Sequence, residues 1–122
     1  MDWLADSLNK IMGFHPTYMR PPYLGANSFT LQTLGELGYH VLNRDIDTLD
    51  WQNQSPSTIG NSVQNFIDGL NAGGSITLAH DVHQYTVDDL VPAMINEISA
   101  RGLQGELFFV FLVFRCAAVI LY

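Results

Sequence analysis

Three short segments of the chain hold side chains able to move protons or grip a sugar: Arg20 with Tyr23, then Asp45, Asp47, Asp50 and Trp51, then His80, Asp81 and His83. A carboxylate orients an imidazole, an imidazole transfers a proton near neutral pH, and an indole stacks on the face of a pyranose ring. An arginine, an acid cluster, a tryptophan and a histidine gathered in one place therefore suggest a hydrolytic or sugar-binding site. Each residue also has a structural alternative. Arg20 could pair with an aspartate of the next loop, Trp51 could seal a core, and Asp45 and Asp47 could be turn-forming acids, the better reading for Asp45.

The elements that must bring these segments together follow from hydrophobic spacing. Leu4, Leu8, Ile11 and Met12 recur on one helix face before Gly13, and Leu31, Leu34 and Leu37 mark a second helix between Asn27-Ser28 and Gly38. Ser55-Pro56 opens a third helix, carried by Ile59, Val63, Phe66, Ile67 and Leu70 to Gly73-Gly74. A fourth starts at Thr86, whose spacing to Asp89 looks like a capping box, and buries Val87, Leu90, Val91, Met94, Ile95 and Ile98 before Gly102. Between them, Thr17–Met19, Tyr39–Leu42 and Ser75–Ala79 read as strands, and 43–53 reads as a polar, acid-rich loop. Helices alternating with strands predict an α/β fold with a parallel sheet, in one domain without an internal boundary. In such sheets the loops at the carboxyl ends of the strands share one rim, where the three segments fall.

Composition narrows the partners. The 122 residues are 48% hydrophobic, enough for one core, and a net charge of −7 has the wrong sign for gripping phosphates, so nucleic acid is not expected. An uncharged sugar polymer is compatible with that field. The single cysteine, Cys116, excludes an internal disulfide framework and leaves the redox compartment open. The first residues lack the basic and apolar regions of a secretory signal. The apolar run 107–122 is interrupted by Arg115 and is shorter than the roughly 20 residues of a membrane span.

Read as motifs, Arg20-Pro21-Pro22-Tyr23, Asp47-Thr48-Leu49-Asp50-Trp51 and Leu78-Ala79-His80-Asp81 resemble, in order and spacing, the third, fourth and fifth motifs of the NodB-homology polysaccharide deacetylases, carbohydrate esterase family 4. The stretch Gly13-Phe14-His15-Pro16-Thr17-Tyr18-Met19 is most similar to fungal chitin deacetylases. The resemblance covers residues 1–102 and implies a partial (β/α) barrel of the NodB-homology type, missing its first strands. It implies an N-deacetylase of chitin or a related N-acetylglucosamine polysaccharide, usually secreted or cell-wall associated. Attack by neutral water on an amide is slow unless a metal lowers its pKa and a base takes its proton, and the family uses a divalent, zinc-like metal for this.

By the same resemblance, His80 is the general acid that protonates the leaving amine, Asp50 orients its imidazole, and Arg20 pairs with a catalytic aspartate. The Tyr23 backbone N–H stabilises the oxyanion, and Trp51 and Leu78 line the groove, Leu78 near the acetyl methyl. The family's Asp-Asp pair and its two metal-binding histidines do not occur in these residues. Asp88-Asp89 falls in the first turn of a helix, where acids complement the dipole, and His15, His40, His80 and His83 never stand four apart. His83 is read as a loop residue, although the His80-Asp81-x-His83 grouping has the right chemistry for zinc. No metal is expected to bind this chain, and alone it is expected to be inactive. A non-catalytic carbohydrate-binding remnant of the same fold is the alternative.

The deacetylase portion is expected over 1–105. Residues 106–122 depart from the family's pattern as an atypical apolar tail, in which 107–114 could form a buried strand or could be sequence foreign to the domain. Asn53-Gln54-Ser55 fits a glycosylation sequon, weakened by Pro56.

Overall fold

The computed structural model describes residues 2–15, 17–104 and 118–121. They belong to two compact units, Met1–Asn43 and Arg44–Tyr122.

In the first unit, helix α1 (Asp2–Met12) precedes strand β1 (Tyr18–Met19), a single 3-10 turn (Pro22–Leu24), helix α2 (Ser28–Glu36) and strand β2 (His40–Val41). Asn27 caps α2, its Oδ1 accepting the Thr30 N–H at 2.8 Å, which meets one of the helix's orphan donors. β1 and β2 run parallel, pairing Tyr18 with His40, and the two rings stack with centroids 4.9 Å apart. His40 is thus a strand residue. The apolar faces expected of the two helices are only partly covered. Ala5 and Leu34 are buried, whereas Ile11, Leu31 and Leu37 are exposed.

The second unit holds strand β3 (Ile46–Asp47), a 3-10 turn (Asp50–Gln52), helix α3 (Ile59–Asn71), strand β4 (Ile76–Ala79), a π-helical turn (Thr86–Leu90), helix α4 (Val91–Ala100) and strand β5 (Ala118–Leu121). β4 is central, flanked by β3 and β5, and both pairings are parallel. Thr77, Leu78 and Ala79 are all buried, as expected for a strand covered on both faces. Phe66, Leu70 and Ile59 from α3 pack with Leu90 and Met94 of the last helical segment over Ile46 and Ala79. Fully burying each large apolar side chain contributes on the order of 1.5–3 kcal/mol, and this cluster holds the loops after β3 and β4 in place.

Several expectations change. β3 lies inside the segment read as a loop, because its two residues are set by pairing with β4 and by burial of Ile46 rather than by local composition. The parallel strands form a pair and a triplet, in place of one uninterrupted series. α3 begins at Ile59, since Ser55–Thr58 forms a turn whose Ser55 carbonyl accepts the N–H groups of Thr58 and Ile59. Val87 and Ile95 are exposed, leaving Leu90 and Met94 as the buried line. Residues 107–114, for which a buried strand is one of two alternatives, lie outside the described residues; the last described strand is β5.

Two local devices set the geometry of the loops. Asp45 accepts the N–H groups of Ser75 (2.9 Å) and Ile76 (2.6 Å) while its own N–H donates to the Ile76 carbonyl, clasping the starts of β3 and β4. Its reading as a structural acid fits this. Gly73, at φ 89°, turns the chain from α3 toward β4 in a conformation that favours glycine.

Candidate functional site

The site is built where β3 and β4 release the chain. After Asp47, Leu49 adopts the left-handed conformation (φ 52°, ψ 33°), uncommon for a residue with a Cβ. Asp47 supports it: Oδ1 accepts the Leu49 N–H at 3.1 Å, and Oδ2 is held by Arg44 Nε at 2.7 Å. The Leu49 carbonyl accepts Gln52 N–H and Asn53 Nδ2, each at 3.0 Å. This reversal turns Asp50 inward and leaves Trp51 at the surface, 54% exposed. Asn53 Nδ2 also donates to Ser62 Oγ at 3.1 Å, so the sequon's amide is engaged internally.

Asp50 is completely buried and meets three donors. Its Oδ1 accepts His80 Nδ1–H at 2.8 Å; its Oδ2 accepts the His80 backbone N–H at 2.7 Å and the Thr86 hydroxyl at 2.8 Å. Burial pushes the carboxyl's pKa up, but the donors on it, His80 ring and backbone first and then Thr86, together with the His80 charge, outweigh that and leave it below the ordinary aspartate value. Asp50 is therefore ionised at neutral pH. The His80 ring, 30% exposed, is fixed with Nδ1 protonated, so Nε2 is the ring atom that can exchange a proton with a ligand. His83 lies edge-on to that ring at 6.0 Å between centroids.

Of the residues singled out in the sequence, Asp50 and His80 are in direct contact, Trp51 follows Asp50 in the same turn, and Leu78 is a buried residue of β4 paired with Asp47. Among the described residues Trp51 lies at the surface. Arg20 and Tyr23 belong to the first unit. Arg20 Nη2 donates to the Asn43 carbonyl at 3.1 Å, and Tyr23 lies fully exposed in a turn where it and Leu24 both have φ 55°. Two residues of the site were not singled out, Gln54 and Thr86. Gln54 Nε2 donates to the Asp50 backbone carbonyl at 2.6 Å and to Thr86 Oγ1 at 3.3 Å. Thr86 does not cap a helix as its spacing to Asp89 suggests, because its hydroxyl is turned to Asp50.

Among the described residues no group of three or more His, Cys, Asp or Glu is placed to hold an ion, and His80 Nδ1 is committed to Asp50. The described residues do not fit a metal site. No described helix is long and apolar enough to cross a membrane.

A parallel α/β arrangement with a buried aspartate and an outward histidine at the strand ends agrees with the motif resemblance, and comparison with known proteins supplies the class: the chain belongs to the NodB-homology polysaccharide deacetylases. Over 103 residues it is 52% identical to a chitin deacetylase of Pestalotiopsis sp., covering 84% of this chain and 34% of that protein. A chitin deacetylase of Arthroderma benhamiae is 46% identical over 106 residues, covering 86% of this chain and 29% of the relative. The solved chitin deacetylase of the fungal pathogen Colletotrichum lindemuthianum superposes with a TM-score of 0.75 at 32% identity, covering 99% of this chain and 49% of that one. No protein-family model matches the chain. The chain thus spans about a third of the length of these two fungal relatives.

Proposed function

We propose that these residues are the proton-delivering portion of an N-deacetylase acting on chitin or a related N-acetylglucosamine polymer. The observation that carries this reading is the 2.8 Å contact between His80 Nδ1 and the fully buried, ionised Asp50. Asp50 fixes the ring and stabilises the imidazolium, and His80 gives the Nε2 proton to the amine nitrogen as the amide C–N bond breaks. Trp51 and Leu78 line the groove. The parallel pairing of β3, β4 and β5 supports reading this fold as of the (β/α)-barrel, NodB-homology type.

Activating the attacking water is not a role that the described residues fill; a divalent metal, where bound, would lower the pKa of that water. The chain alone, with zinc or cobalt and chitin oligomers, should release no acetate. The decisive experiment exchanges this chain for the matching 103 residues of the Pestalotiopsis relative. Acetate release from the chimera, abolished by a chelator and reduced about a hundredfold or more by His80→Ala, is the expected result. An active chimera indifferent to His80→Ala would overturn the role given to the histidine.

A second reading, a carbohydrate-binding remnant, is favoured by the exposure of Trp51 and Tyr23. It requires the chain alone to bind chitin oligomers.

A further inference from the structure

We propose that Thr86, with Gln54 behind it, is a positioning residue for the histidine–aspartate pair, selecting which carboxylate oxygen faces the ring; this rests on the proton-transfer reading of that pair. A threonine near a helix start ordinarily caps it or returns its hydroxyl to a preceding carbonyl. Thr86 is fully buried at the first position of the π-helical turn, and its hydroxyl instead crosses 36 residues of sequence to Asp50 Oδ2 at 2.8 Å. Single π-helical turns recur at functional sites.

The direction of that hydroxyl is set by Gln54. Its Nε2–H approaches Thr86 Oγ1 at 3.3 Å and occupies an acceptor side of the oxygen, leaving the one hydroxyl proton for Asp50. Oδ2 then carries two donors, this hydroxyl and the His80 backbone N–H, whereas Oδ1 carries the ring alone. The torsion that rotates a carboxylate is soft. Pinning Oδ2 from two directions fixes the carboxylate plane and so the imidazole plane. Of the titratable groups nearby, His80 touches the carboxylate, and His83 lies edge-on to the His80 ring.

The test reads the pair without substrate or metal, so it is independent of whether the chimera releases acetate. In the full 122-residue chain, NMR follows the Asp50 carboxyl carbon through acid titration and the exchange of the His80 Nδ1 proton. Thr86→Val keeps the shape and removes the donor. It should shift the Asp50 midpoint upward and speed loss of the Nδ1 proton signal, while Thr86→Ser should keep both as in the parent chain. No change in Thr86→Val, or an equal change in Thr86→Ser, would sink the proposal. Should Thr86→Val fail to fold, Gln54→Met decides. An upward shift of the Asp50 midpoint supports the relay, and an unmoved midpoint overturns it.

Discussion

Asp50 holds His80 at two places at once, accepting the ring Nδ1–H on Oδ1 and the main-chain N–H of the same residue on Oδ2. Gripping ring and backbone together fixes the histidine's side-chain torsions relative to the end of β4, which a bond to the ring alone would leave adjustable. A buried carboxylate is tolerated because its donors replace the water it gave up.

That arrangement has a pH signature. The folded Asp50 titrates below its unfolded value of about 3.9, so the unfolded chain binds the extra proton first. The stability contributed by the pair is fully present above that value and is lost as pH falls through the folded value. Urea midpoints between pH 6 and 2 should drop more steeply in the parent chain than in Asp50→Asn. At pH 7 the variant should be less stable by about 2–4 kcal/mol, since an amide offers hydrogens to groups that are themselves donors. Equal slopes would show that Asp50 does not carry the acid response.

Trp51 should report on sugar. It is 54% exposed, and stacking of an indole on a pyranose ring is worth about 0.5–1.5 kcal/mol. Fluorescence titration of the active chimera with chitin oligomers should give affinities weakened about threefold to tenfold by Trp51→Ala. Unchanged affinity would remove Trp51 from the groove.

The packing of α3 on β3 leaves no room at Gly69. A Cβ there would meet Ile46 Cγ2 at 2.7 Å and Cγ1 at 2.8 Å. Alanine ordinarily stabilises a helix interior relative to glycine by about 0.5–1 kcal/mol. Here overpacking at about 1–3 kcal/mol wins, so Gly69→Ala should lower the denaturation midpoint. A rise in that midpoint would mean that Ile46 yields.

The left-handed Leu49 depends on Asp47. Asp47→Ala removes both the acceptor of the Leu49 N–H and a partner of Arg44, a partly buried pair of modest worth. A loss of about 1–2 kcal/mol is expected by chemical denaturation, along with a change in Trp51 fluorescence as the turn relaxes. A stability loss with an unaltered tryptophan signal would separate the ion pair from the turn.

How much of this was legible beforehand depended on whether the signal was local. α3 and the line Leu90–Met94 follow from apolar periodicity, and His80 at the end of β4 follows from the apolar run before it. The Asp50–His80 contact was accessible only through motif order, since nothing local ties residues 30 positions apart. β3 stayed hidden because two residues carry no periodicity, and Ile46 is a strand residue only through its pairing with β4. Thr86 was misread because Thr-x-x-Asp has the spacing of a capping box, and the competing acceptor, Asp50, lies far away in sequence. Gln54 had no sequence signal at all.

The clasp of Asp45 on Ser75 and Ile76 bears on the site from the far ends of the strands. β3 and β4 share only the pairs Ile46–Thr77 and Asp47–Leu78, a ladder short enough to slip by one residue. Such a slip would reverse which side chains face inward and carry Asp50 out of step with His80. By seizing two successive N–H groups before the ladder begins, Asp45 indexes one strand against the other, and the alignment of a proton donor with its carboxylate is decided at the opposite edge of the sheet.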